Sequence, residues 1–297
     1  MSRYRSVMRS GVLGMVILLA GLMTADSIIA AGISIDAGLT PAEGRWMARV
    51  QHRVFRRENS AGAEMTMRMS PVIVAHGLKS NITLIARQAI VSRKMVMPMG
   101  DLSNSGFGDL LFLAKYRLYR KNTASYTFGI APTIGVEIPI GEKQFSSDSW
   151  DLHTGCLFSG RTGRWGIDLN LKYVWNGIDG YNDNFIDPGD ETVVETAVDY
   201  RFGFGANSEY SLAPVLELAY NHTSDDQIDP NGVSGGTAES PVVGSPAESV
   251  MFVSPGFVFT RSSFIIEALI RVPVWDDLAE GGMEHQTGFL IGVRLMN

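Results

Sequence analysis

From Arg45 onward, apolar and polar residues take alternate places along stretches of roughly ten residues, each closed by a turn. In the clearest stretch, Tyr126, Phe128, Ile130, Pro132, Ile134, Val136 and Ile138 occupy every second position, with Thr127, Gly129, Ala131, Thr133, Gly135 and Glu137 between them. A period of two puts each set on its own face of a β-strand. The second face is small or charged, which suits a wet lumen rather than a packed core. In a bilayer every backbone N–H and C=O needs a partner within the protein, so strands cross only as a closed barrel. The expected fold is therefore all-β, a transmembrane antiparallel up-and-down β-barrel.

The pattern predicts about twelve strands, over residues 45–55, 65–76, 82–93, 106–119, 126–138, 149–160, 165–176, 192–203, 210–221, 250–259, 264–275 and 286–297. An even number brings both ends of the barrel to one side. Short and long connections alternate, and in outer-membrane barrels the short turns face the periplasm and the longer loops the exterior. Charge follows the same division. The short turns carry Lys79, Arg120, Lys121, Arg161, Arg164 and Arg261. The long loops carry Asp179, Asp183, Asp187, Asp190 and Glu191, then Asp225, Asp226, Asp229, Glu239 and Glu248. A soluble β-sandwich gives no reason for such sorting. Trp46, Trp150, Trp165 and Trp175, with Tyr119, Tyr126, Tyr210 and Tyr220, fall near strand ends, where amphipathic rings sit at headgroup level.

Residues 1–32 stand apart. Arg3, Arg5 and Arg9 precede an apolar stretch from Gly11 to Met23, and small residues follow at Ala25, Ser27, Ala30 and Ala31, which reads as a cleaved signal peptide. A retained anchor is the other reading, but the stretch falls short of the ~20 residues a spanning helix needs. Residues 33–44 are expected to form a short periplasmic leader and 45–297 the barrel. The net charge of -6 becomes more negative once three arginines and one aspartate leave with the signal peptide, which argues against nucleic acid as a partner. A single cysteine, Cys156, rules out an intramolecular disulfide and falls on the apolar face by parity.

Parity assigns a charged set to the lumen. Arg49, Arg53, Arg68, Arg87, Lys115, Arg117, Lys172, Arg201, Arg271 and Arg294 are the cations. Asp109, Glu137, Asp151, Asp168, Glu195, Asp199, Glu217 and Glu267 are the anions. These groups need water or partners, so they form either a bracing ladder of ion pairs or the wall of a selective path for solute.

Three segments carry a resemblance: His76-Gly77-Leu78-Lys79-Ser80-Asn81, Ser105-Gly106-Phe107-Gly108-Asp109, and Gly135-Val136-Glu137-Ile138-Pro139-Ile140-Gly141. Through them the region from Val72 to Gly177 resembles the outer-membrane family named for the meta-pathway of phenol degradation. That resemblance implies a bacterial outer-membrane barrel, in contact with lipid and lipopolysaccharide, that passively admits small, often aromatic or hydrophobic, organic solutes. Ile140 stands where the family often has Thr, and the chain ends in Leu295-Met296-Asn297 rather than an aromatic residue.

An outer-membrane lipid hydrolase would use a Ser, a His and an orienting Asn near the outer rim, where Asn221, His222 and Ser224 lie close in sequence. No local motif supports it, and the expectation is no enzyme. The acidic loops match no calcium-loop spacing, and His52, His76, His153 and His285 lack metal-ligand spacing, so no cofactor or metal is expected. The topology has a direct check: protease added to intact cells should cut between His222 and Ser249, and cleavage between Arg161 and Arg164 instead would invert it.

Overall fold

The computed structural model describes residues 32–60, 62–98, 100–182, 185–205, 209–229 and 244–297. The expected signal peptide up to Ala31, and Asp183 and Glu239 of the acidic loops, lie outside the described residues. Twelve strands form the wall: β1 (Trp46–Glu58), β2 (Glu64–Lys79), β3 (Ile82–Val96), β4 (Leu102–Tyr116), β5 (Tyr126–Ile138), β6 (Asp151–Thr162), β7 (Trp165–Trp175), β8 (Glu191–Tyr200), β9 (Tyr210–Thr223), β10 (Glu248–Arg261), β11 (Phe264–Asp277) and β12 (Glu284–Met296). Each pairs antiparallel with its neighbours in sequence, and β1 pairs with β12, so the sheet closes on itself. Closure leaves no edge to expose unpaired backbone to lipid.

The strands run further toward the exterior than the apolar pattern does. β1 continues through Arg56, Arg57 and Glu58, and β3 through Arg93 and Lys94, because backbone pairing above the lipid belt needs no apolar side chains. The connections 59–63 and 97–101 are short in consequence. Alternation of loop length survives at 139–150, 176–190 and 224–247. At the opposite rim β6 turns into β7 through Gly163 (φ 54°) and β10 into β11 through Ser262 (φ 52°), the left-handed backbone that two-residue hairpins require.

Polarity is inverted relative to a soluble protein. Phe112, Ile134, Ile167, Leu216, Ile270 and Ile291 point outward and are exposed, while Asp168, Glu217 and Glu267 point inward and are almost wholly buried. Trp46 and Trp165 lie outward at the short-turn rim, and Trp150, Trp175 and Trp275 outward at the long-loop rim, which brackets the apolar belt with two aromatic girdles.

One seam of the wall is incomplete. β4 pairs with β5 only from Leu110 to Lys115. Below that, Tyr119–Asn122 continues the ladder on β5, and above it an extra residue in β4 shifts the register opposite Gln88 and Ile90. The segment 139–150 covers the upper gap. Glu142 N donates to Phe107 O at 2.8 Å, and the Asp109 carboxylate accepts from Gly141 N at 2.8 Å and Ser147 N at 2.9 Å. The Glu142 carboxylate folds over Gly106, 2.5 Å from where a Cβ would stand, so a side chain here would have to displace it.

The barrel is braced across the β11–β12–β1 seam. Glu267 accepts from Arg49 Nε at 2.6 Å, from Arg294 Nη2 at 2.8 Å and from Gln51 Nε2 at 2.6 Å, all buried. Removing one partner of a buried pair leaves uncompensated charge and costs about 3–5 kcal/mol. Glu267→Gln should accordingly lower stability by about 3 kcal/mol, read as the urea midpoint at which heat-modifiable gel mobility is lost; an unchanged midpoint would show that the brace is dispensable.

Candidate functional site

The leader is not periplasmic. Residues 32–40 fold into the lumen, where Ile33, Ile35 and Leu39 are buried. Gly44 N donates to Gly77 O at 2.8 Å, which tethers the chain at the short-turn rim, and from there it crosses the interior toward β9 and β11. A Cβ at Gly77 would collide with Ala42 O, so this glycine lets the leader pass close to the wall.

This segment pairs with no strand of the sheet, yet side chains of the wall bond much of its backbone. Lys115 Nζ donates to Ala37 O at 2.9 Å and Leu39 O at 3.1 Å. Gly38 N donates to Ser159 Oγ at 2.7 Å, and Asn170 Nδ2 donates to Asp36 O at 3.0 Å. Glu217 accepts from Ile33 N, from Ser34 N at 3.0 Å and from the Ser34 hydroxyl. Ile33 O accepts from Arg49 and from Gln51 Nε2 at 2.7 Å, and Arg294 Nη2 reaches Gly32 O at 3.3 Å. The Asp36 side chain bonds Lys172 at 3.2 Å, and Lys172 also holds Glu195 at 2.9 Å. Lumen charges from β1, β4, β7, β9 and β12 thus secure an internal plug. Whether these residues enter the lumen is not legible in their own sequence, where nothing alternates; the wall supplies the ligands.

On the exterior side of the leader lies a cavity of about 260 Å³. Ser34 and Asp36 form part of its floor, and its walls include Arg49, Arg53, Arg87, Lys172, Glu195 and Arg271. Ile73, Ile85, Leu111, Leu113, Leu157 and Val174 give it an apolar side. A transverse row places Arg49, Ile73, Arg87, Leu111, Glu137 and Asp151 side by side on β1 to β6. Glu137 lies 3.7 Å from Arg87 and 2.9 Å from His153 Nε2, an inward histidine that charge-based reasoning passed over.

The other expected lumen residues take different places. Asp168 lies inside near the short-turn rim, bonded to Arg161 at 2.8 Å and to the Ser159 hydroxyl. Asp199 packs over Gly166 in the same quarter. Arg117 and Arg201 follow the ends of β4 and β8, where their backbone N–H groups donate to Asn81 O at 2.7 Å and Arg164 O at 2.9 Å. Asp109 and Asp151 serve the loops: Asp151 accepts from Gly177 N at 2.9 Å and Ser149 Oγ at 3.2 Å.

Arg68 is a correction. It pairs with Val54 and Ser92 and shares the parity of Val72 and Val74, so it projects outward and is exposed. Its position four residues into β2 from the exterior end explains this, because an outward charge costs little near the interface.

The hydrolase constellation does not form. His222 Nδ1 bonds Ser249 Oγ at 2.9 Å, whereas Ser224 Oγ donates to Asp190 O at 3.5 Å. Among the described residues no group of three or more His, Cys, Asp or Glu could hold a metal ion. The acidic loops use their carboxylates on backbone amides instead: Asp179 accepts from Trp150 N at 2.9 Å, Asp190 from Asn176 N at 3.1 Å, and Asp226 from Gly189 N at 2.9 Å and Ser245 N at 2.7 Å. Burial and the neighbouring Asp190, Asp179 and Asp226 raise the Asp187 carboxyl above its usual range.

Asp109→Ala should release the 139–150 segment, so that trypsin added to intact cells cuts after Lys143 several-fold faster than in the wild type. An unchanged rate would remove Asp109 as the latch.

Two solved structures share the architecture. An outer membrane channel from Pseudomonas putida F1 aligns with a TM-score of 0.65 at 16% identity, over 89% of this chain and 100% of that one. The β domain of the Bordetella autotransporter BrkA aligns with a TM-score of 0.50 at 10% identity, over 86% of this chain and 100% of the other. No curated protein sequence matches the chain. A family model described as "Putative MetA-pathway of phenol degradation" matches residues 73–264, from within β2 to the start of β11. The chain belongs to that family, as an outer-membrane β-barrel with its own N-terminal segment folded into the lumen.

Proposed function

We propose that this protein is a passive channel through which small organic solutes cross the outer membrane. The observation that carries the reading is the cavity of about 260 Å³ resting on the leader, a space lined by charged and apolar groups together. A barrel built only for bracing has no use for such a space, since paired charges or packed side chains would fill it. The P. putida structure is itself described as a channel and the family by phenol degradation, and both agree with passage of small aromatic or hydrophobic molecules. Catalysis plays no part in this reading. Outward-facing Arg56 and Arg68, on neighbouring strands near the exterior rim, suit the phosphates of lipopolysaccharide.

The leader lies across the path. Its bonds to the wall make it a constriction that limits solute size. In planar bilayers the wild-type protein should give small discrete conductance steps, and a variant lacking residues 33–44 should give steps several-fold larger. Silence from both proteins, each shown to be folded by heat-modifiable mobility, would reject the channel in favour of a structural barrel.

A further inference from the structure

The cavity above the leader is divided chemically. On the β2–β4 side its lining is aliphatic around a single cation, with Ile73, Ile85, Leu111 and Leu113 clustered about Arg87. On the β11–β12–β1 side stand two guanidiniums, Arg53 and Arg271. They are separated by β12, whose inward positions between them are Gly288 and Leu290. Both also line a smaller adjoining cleft with Ser34 of the leader.

Most cavity charges are spoken for: Arg49 by Glu267, Lys172 by Asp36 and Glu195, Arg87 by Glu137. Arg53 and Arg271 form no ion pair with any described residue. Arg53 donates from Nε at 3.0 Å and Nη2 at 2.6 Å to the neutral Gln51 Oε1. Arg271 stacks over Phe252 at 3.9 Å, its buried Nε has no acceptor among the described residues, and the Asn221 amide lies beside it, its oxygen accepting from Nη2 at 3.2 Å once the amide is rotated by half a turn. Stacking and amide contacts hold these guanidiniums in place without neutralising them. Glu195 and Glu217 act on them only from beyond contact distance. Glu191, the cavity carboxylate with no cation in contact among the described residues, sits on the opposite side with His153 and Glu137.

A planar carboxylate matches a guanidinium fork with two parallel hydrogen bonds, and an aliphatic wall accepts a hydrocarbon or aromatic body. We propose that the cavity is a binding site for small amphiphilic monocarboxylates, with the carboxylate between Arg53 and Arg271 and the apolar body against Ile73, Ile85, Leu111 and Leu113. The inference rests on the channel reading in taking solute to reach this cavity, and it narrows the solute class to anions with an apolar body.

Calorimetric titration of the detergent-solubilised full-length protein tests it, with benzoate, benzyl alcohol, benzylamine and acetate as probes. Benzoate should bind saturably and at least about tenfold more tightly than each of the others. Arg53→Gln and Arg271→Gln should each weaken benzoate by about tenfold or more while leaving benzyl alcohol unchanged. Arg53→Lys should recover only part of the loss, because the fork is gone while the charge remains. Benzyl alcohol or benzylamine binding as tightly as benzoate, acetate matching benzoate, or benzoate binding that survives both Gln variants would each overturn the proposal. Benzoate binding by a protein that is silent in planar bilayers would reject the channel and leave the site intact.

Discussion

Everything in this molecule follows from the pairing of its first wall strand with its last. Without the β1–β12 ladder, two rows of backbone donors and acceptors would face hydrocarbon, each unsatisfied group costing several kcal/mol. Closing the sheet turns the usual logic of burial inside out. Apolar side chains are sent outward to lipid, and the interior receives the polar half of every strand. The interior then has to manage its own electrostatics, because charges such as Glu267 and Arg294 lie too deep for bulk water to screen them.

Two different solutions meet in one lumen. Toward the short-turn rim the charges find one another or the leader: Glu267 is shared by Arg49, Arg294 and Gln51, and Glu217 serves amides of Ile33 and Ser34. There the polar interior behaves as a structural core that bonds many of the carbonyls and amides of an irregular segment. Above the leader the compensation thins, space opens, and cationic and aliphatic walls face each other across it. Bracing and solute handling are thus divided by depth, with Arg49 touching both.

The wall was legible in the sequence because its signal is local. A period of two and the placement of Gly163-Arg164 or Ser262-Ser263 between apolar runs need no knowledge of distant residues, and the twelve strands followed. Parity also put Lys172, Glu217, Glu267 and Arg294 on the inner face, though not their roles. It failed at Arg68, where the assumption that charge means lumen no longer holds once a strand rises to the interface. The leader could not be read in advance. Its partners Lys115, Ser159, Asn170 and Glu217 lie far along the chain, so only the closed barrel brings them to it. Asp109, assigned by parity to the lumen, instead holds the amides of Gly141 and Ser147, a use that no local pattern in the sequence signals.

The attachment of the leader has a bearing on assembly. Arg49 of β1 reaches the carbonyls of Gly32 and Ile33, Arg294 of β12 reaches that of Gly32, and Glu267 of β11 holds the two arginines together. These groups come into register only when the last strand zips onto the first. The carbonyls of Gly32 and Ile33 therefore act as a clasp laid across the closing seam, bonded to the first wall strand and to the twelfth.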